Sequence, residues 1–152
     1  MRHRQQRLLD RRKSKLTERD RVCLPVPLFH CFGCVLGVMA CVTHASTMVI
    51  LEHFSPVHVM AAIDQEKCTA AYGVPTMYLA VVEHKLFKRF DYSSCAQASC
   101  PARVPRTPYA EGAGGNEHAR DHHPYGLTEA SPVMTMTTTD ETLEHRCQTV
   151  GR

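Results

Sequence analysis

Thiols and an imidazole provide the first chemistry to weigh. Cys31-x-x-Cys34 and Cys41-x-x-His44 offer three sulfurs and one ring nitrogen at paired spacings that suit tetrahedral zinc. Phe32, Val35, Leu36, Val38, Met39 and Val42 lie among them, and a buried helix accounts for the same stretch. His122 and His123, with His118 nearby, could capture a metal adventitiously or be an accident of composition. His30 stands between Phe29 and Phe32, where a core histidine satisfied by its neighbours is the plain expectation. There is no Gly-x-Ser-x-Gly nucleophile turn and no Gly-Lys-Ser/Thr phosphate loop.

The elements that must position these residues follow from the apolar pattern. Arg21 to Leu28 reads as a short buried strand that breaks at Pro25 and Pro27. Phe29 to His44 is apolar on every side and reads as a helix buried among other elements, with Gly33 and Gly37 open to close approach by another backbone. Thr47 to Leu51 is a β-branched run, a second buried strand. Ser55-Pro56 starts a helix, with Ser55 as cap, Pro56 in the first turn, and Val57, Met60, Ala61 and Ile63 as its stripe. Cys68 to Tyr72 is a third strand, and Thr76 to His84 a further helix whose exposed end carries Lys85, Lys88 and Arg89. Strand alternating with helix is the grammar of a parallel α/β sheet.

The pattern fails from Cys95 to Pro124, where prolines and glycines punctuate a polar stretch with no sustained period. Order returns at Tyr125, and the tail from Pro132 is rich in threonine. Charge is also uneven. The chain has 152 residues and a net charge of +3. Residues 1–21 hold nine basic residues against three acidic ones, a net of +6, so the rest carries −3. Such a head could bind nucleic acid or an anionic membrane, or be a solvated tail. It contains no aromatic residue on which a base could stack, so no nucleic-acid partner is expected. The longest apolar run, Cys31 to Val42, is too short to span a bilayer, and no secretory leader is read at the N-terminus. The cysteines lie mostly in apolar surroundings, which favours a reducing compartment over a disulfide framework.

The segments Leu24-Pro25-Val26-Pro27-Leu28-Phe29-His30-Cys31-Phe32-Gly33 and Tyr125-Gly126-Leu127-Thr128-Glu129-Ala130-Ser131 carry a family likeness. Gly73-Val74-Pro75-Thr76-Met77 and the closing Thr149-Val150-Gly151-Arg152 add to it in the same order. The chain resembles the AMP-forming acyl-CoA synthetases, the fatty-acid branch of the adenylate-forming enzymes, from about Lys15 to Ser94 and again from Tyr125 to Arg152. The resemblance implies an α/β fold, a fragment of the large N-terminal domain with a mainly parallel sheet and covering helices. It implies two steps: a fatty acid carboxylate attacks the α-phosphate of ATP, then the thiol of coenzyme A displaces AMP. It implies roles too. Tyr125 and Gly126 would line the adenylate site, with the Tyr125 ring against adenine. Thr128 would donate to a phosphate oxygen, Glu129 would hold Mg²⁺, and His30 would orient the acyl carboxylate. On this reading His30, Thr128 and Glu129 are the catalytic set. The compartment it implies is the cytoplasm, with the mitochondrial matrix as the alternative.

The family's Gly/Ser/Thr-rich phosphate loop has no match here, and its ribose-binding aspartate, hinge and C-terminal lysine domain would follow Arg152. A Leu-Arg-x-Gly strand is also replaced. One codon choice for Cys95 to Cys100, read with one base added in front, restores Leu-Arg-Thr-Gly-Ile-Met. Similar one-base shifts restore family-like sequence near His3 to Arg12 and Gly112 to His123. The expected organisation is therefore an out-of-frame basic head at 1–13, an AMP-binding fragment at 14–94, an out-of-frame or disordered segment at 95–124, and the AMP-binding signature and tail at 125–152. A chain so truncated is expected to be inactive alone. The alternatives are a non-catalytic remnant and a small zinc-binding module.

Overall fold

The structure, a computed structural model, describes residues 16–95, 97–99, 124–130, 132–138, 141–142, 145 and 149. The basic head at 1–13 and the residues His118, His122 and His123 lie outside the described residues. Four strands, β1 (Arg21–Leu24), β2 (Thr47–Ile50), β3 (Ala70–Tyr72) and β4 (Gln97–Ser99), form one sheet in the order β2-β1-β3-β4. All its pairings are parallel. The first three strands fall where the β-branched and apolar runs place them, and the expected α/β class holds. The fourth lies inside the segment whose pattern fails. Gln97, Ala98 and Ser99 are poor strand formers, but β3 offers them a ready ladder in the register Ala70↔Gln97 to Tyr72↔Ser99.

Side chains alternate across the sheet with period two. Val22, Leu24, Ala70 and Tyr72 face one core with Phe32, Leu36 and Cys41, while Cys23 and Ala71 face the other with Met60, Ile63 and Val81. The first core lies under α1 (Phe32–Met39) and α2 (Ala40–His44), and the second under α3 (Pro56–Gln65) and α4 (Pro75–Val82). α1 is wound as a π-helix, not as the plain α-helix the apolar run implies. Its glycines do act as contact points. A Cβ on Gly33 would lie 2.3 Å from the Pro27 carbonyl oxygen, and one on Gly37 would lie 3.1 Å from Leu24.

Three local expectations need correction. The helical stretch is not buried all round: Met39 and Val42 are exposed. β2 is not a buried strand, because it ends the sheet among the described residues and leaves Ile50 half exposed. Ser55 does stand at the cap of α3 and Pro56 in its first turn, but no side-chain hydrogen bond caps the helix. Its buried stripe is Val59, Met60, Ala62 and Ile63, shifted from the one read in the sequence because the helix meets the sheet with the next face round.

The connections fix where a ligand can sit. β1 leads through α1 and α2 to β2 on one side of it, and β3 leads through α4 toward β4 on the other. These neighbouring strands send their chains in opposite directions and onto opposite faces. In an open parallel sheet, the crevice beyond the carboxyl ends of two such strands is the usual ligand site. A short 3₁₀ turn, Phe87–Arg89, follows α4, and a two-stranded antiparallel hairpin pairs β5 (Pro124–Gly126) with β6 (Val133–Met136), with a 3₁₀ turn, Thr128–Ala130, between them.

Candidate functional site

A cavity of about 510 Å³ opens at that switch point. Val26, Pro27, Phe29, His30 and Cys31, which follow β1, form one wall. Val74 and Met77, which follow β3, form the floor of the crevice, and the hairpin contributes Pro124 to Glu129 with Pro132 and Val133. Most of the lining is apolar. All five residues singled out by the signature and the proline-rich strand end, His30, Tyr125, Gly126, Thr128 and Glu129, line this one cavity. Sequence separations of about a hundred residues are closed by Val133 packing against the α1 core and by a direct contact between Cys31 and Thr128.

The first wall is rigid. Phe32 stacks on Tyr72 of β3, with centroids 5.9 Å apart and planes within 5°. Gly33 lets α1 approach the Pro27 carbonyl, so the turn that holds His30 folds tightly back on itself. The His30 N–H donates to the Pro27 oxygen at 3.2 Å, and the Phe32 N–H donates to His30 Nδ1 at 3.1 Å. Cys31 Sγ lies 3.4 Å from Thr128 Oγ1 and 3.8 Å from His30 Nδ1. The opposing wall depends on Gly126. A Cβ there would fall 1.6 Å from the Pro132 carbonyl oxygen, so only glycine lets the hairpin close beneath Tyr125. The ring of Tyr125 is half exposed and Glu129 is exposed, both at the cavity lining.

The zinc grouping is not assembled. Cys31 and His44 stand at opposite ends of a continuous helical run, several turns apart along it. Cys41 is buried, and that burial, with the Asp20 carboxylate second, pushes its thiol up to about 11, away from the thiolate zinc requires. His44 Nδ1 lies 2.8 Å from the Ala40 carbonyl oxygen. Among the described residues no three His, Cys, Asp or Glu side chains cluster as a metal site. The described cysteines are free, and Cys23, Cys41, Cys68 and Cys95 are core hydrophobes.

Sequence reading missed the walls. Val74 and Met77 belong to the Gly-Val-Pro-Thr-Met stretch and drew notice there, but nothing in that stretch says that it floors a cavity. Cys31 drew notice as a metal ligand, as a cysteine in apolar surroundings and within the Leu24–Gly33 segment, but not as a contact of Thr128. Val133 gave no signal, because its place depends on a hairpin pairing that Tyr125 and Thr135 reveal only in register.

Comparison with known proteins agrees with this geometry. The sequence pattern of the family described as AMP-binding enzyme matches residues 2–152. The Bacillus subtilis protein YngI, provisionally named an acyl-CoA synthetase, is 42% identical over 142 residues, covering 90% of this chain and 25% of that protein. The acyl-CoA ligase sidI of Aspergillus fumigatus is 41% identical over 145 residues, covering 92% of this chain and 24% of its own length. This chain thus spans about a quarter of the length of these curated relatives. Among solved structures, the inhibitor-bound N-terminal domain of FACL13 from Mycobacterium tuberculosis superimposes with a TM-score of 0.78 at 20% identity, covering 92% of this chain and 34% of that one, which shows the fold. The aligned spans run through most of this chain, and the cavity stands at the family's sheet switch point: the chain belongs to the AMP-binding enzyme family.

Proposed function

We propose that this chain carries the acyl-adenylate part of an acid–thiol ligase. The reaction is ATP-dependent activation of a carboxylic acid, a fatty acid by resemblance, to acyl-AMP and pyrophosphate, followed by transfer to coenzyme A. The observation that carries the reading is the gathering of His30, Tyr125, Gly126, Thr128 and Glu129 around one mainly apolar cavity beyond β1 and β3. The half-exposed Tyr125 ring gives adenine a flat apolar contact. The Thr128 hydroxyl serves a phosphate oxygen. His30 orients the acyl carboxylate at the wall from which Phe29, Leu36 and Met77 line the space for an alkyl chain.

Glu129 fits Mg²⁺ of a particular kind. It is an exposed carboxylate at the cavity lining, and the described residues place no cluster of three ligating groups there. One carboxylate suffices for a cation that keeps its waters and takes its other ligands from phosphate. When bound, such an ion neutralises charge on the transferring phosphate. No helix among the described residues is long and apolar enough to cross a membrane. A cytoplasmic setting is the simplest for these substrates, with the mitochondrial matrix as the alternative.

A chain that spans a quarter of its relatives is expected to bind without completing the reaction. Calorimetric titration with AMP and with a non-hydrolysable acyl-sulfamoyl adenosine tests the binding. Both are expected to bind, the acyl form more tightly, and Tyr125→Ala should weaken each by roughly tenfold, as stacking losses do. Absence of binding by either ligand would overturn the reading. ATP–pyrophosphate exchange with a panel of fatty acids should stay at background, and robust acid-dependent exchange would refute the expected inactivity.

A further inference from the structure

We infer that Cys31 and the backbone N–H of Phe32 set the proton positions of the cavity wall, making His30 and Thr128 hydrogen-bond donors toward an anionic oxygen. The inference rests on the binding reading above for its ligand, but its first test needs no ligand.

The argument follows the protons. The Phe32 N–H can only donate, and it donates to His30 Nδ1 at 3.1 Å. Nδ1 must therefore carry a lone pair, so the proton of the neutral ring sits on Nε2. Protonating the ring would set an N–H against an N–H. The nitrogen His30 has left to offer a ligand is thus an N–H and not a basic nitrogen. A ring held this way orients a carboxylate or a carbonyl, and it does not serve as a general base or a metal ligand through Nε2.

The same count applies at Thr128. Cys31 Sγ lies 3.4 Å from Thr128 Oγ1 and 3.8 Å from His30 Nδ1. Either group of the Cys31–Thr128 pair can donate by geometry; with Nδ1 taken by Phe32, we assign the thiol proton to Oγ1. Thr128 then receives at its oxygen and is free to point its own O–H into the cavity. Cys31 touches no reacting atom in this scheme. It is a positioning residue that ties the start of α1 to the signature turn. The wall it organises accepts anionic oxygens, a phosphate beside Thr128 and a carboxylate beside His30.

Two measurements test this. Long-range proton–nitrogen correlation of the His30 ring, assigned by its loss in His30→Gln, should show a protonated Nε2 and a bare Nδ1 at neutral pH in the free chain. A protonated Nδ1 would overturn the inference whether or not any ligand binds. Side-chain couplings should show one Thr128 rotamer in the wild type and in Cys31→Ser, and rotamer averaging in Cys31→Val, which keeps the size and loses the donor. An unchanged rotamer in Cys31→Val would remove Cys31 from the scheme. The ligand arms separate the two acceptors. Cys31→Val should weaken AMP about fivefold, with Cys31→Ser restoring most of the loss, since one neutral hydrogen bond is at stake. For octanoate, His30→Gln, whose amide reaches the Nε2 position, should bind better than His30→Asn, whose amide reaches only Nδ1. The reverse order would refute the donor role. If neither AMP nor octanoate binds the wild type, the ligase reading fails, and the ring spectrum and the Thr128 rotamer still decide the proton positions.

Discussion

A core substitution in β4 should stabilise this protein, against the usual sign for such changes. Gln97 is buried at 5% exposure in a parallel strand, and its Nε2 has no hydrogen-bond partner among the described residues. A buried polar group left without a partner costs about 1–3 kcal/mol. Gln97→Met keeps the unbranched shape and nearly the volume, removes the orphan donor and leaves the β3 ladder intact. The expected gain is therefore about 1–3 kcal/mol, a factor of roughly 5 to 150 in the folded population. In urea, with a slope near 2 kcal/mol per molar, the midpoint should rise by about 0.5–1.5 M at constant slope. Tyr78→Phe is the control of opposite sign. The Tyr78 hydroxyl donates at 2.9 Å to the Ala71 carbonyl oxygen on the neighbouring strand, so its loss should cost about 1 kcal/mol. A fall in the midpoint for Gln97→Met, beside the expected fall for Tyr78→Phe, would show that the Gln97 amide is satisfied and would refute the reasoning.

Other perturbations have equally definite signs. Gly126→Ala places a methyl 1.6 Å from the Pro132 oxygen, so the hairpin must open and AMP affinity, read by calorimetry, should fall more than about tenfold, beyond ordinary overpacking. Ala45 holds φ 54° after α2, with the Ser46 N–H donating to the Cys41 carbonyl oxygen at 2.9 Å, so Ala45→Gly should raise thermal stability by about 0.5–1 kcal/mol. Asp91 is held down to about 2, first by the Ser93 N–H and then by the Ser93 and Lys67 side chains. Its contribution is complete above the ordinary 3.8 and disappears as pH falls through 2, so Asp91→Asn should flatten the acid limb of a stability–pH curve in that window. Glu129→Gln should abolish the rise in AMP affinity on adding Mg²⁺ while raising the metal-free affinity by about threefold, as loss of one screened like charge does.

The parallel core was legible because its signals are local. Val22 and Tyr72 announce strands by type, and Pro56 marks a helix start by its fixed φ. β4 was not legible because its residues do not ask to be a strand: Gln97, Ala98 and Ser99 are recruited by the free edge of β3. The orphan amide of Gln97 records that mismatch between local sequence and place in the fold. The proposed out-of-frame reading of residues 95–124 would put a threonine at this position. Sequencing the locus tests that reading directly. At the site, residue types were legible by resemblance, but which hydrogen each donates was not. The donor character of His30 depends on a single backbone N–H two residues away, and that of Thr128 on a thiol 97 positions distant.

The position of the cavity follows from topology more than from any one side chain. The turn after β1 and the turn after β3 leave the sheet in opposite directions, so no helix can cover the gap between them. Whatever fills it must come from a distant part of the chain, and β5–β6 does so. Such an arrangement divides the labour. The sheet fixes the wall that holds the His30 turn through packed rings and a glycine contact, both insensitive to the ligand. The hairpin brings Tyr125, Thr128 and Glu129 against it, and among the described residues Val133 and the Cys31 sulfur contact help tie the two at the level of side chains. A ligand that bridges both walls would add to these contacts, and the apolar lining with polar groups on two sides suits a molecule with an alkyl end and an anionic centre. An acyl-adenylate has that form, whereas AMP or a free fatty acid has only one part of it. On the proposed reading, the joined acyl-adenylate should bind more tightly than either of its halves.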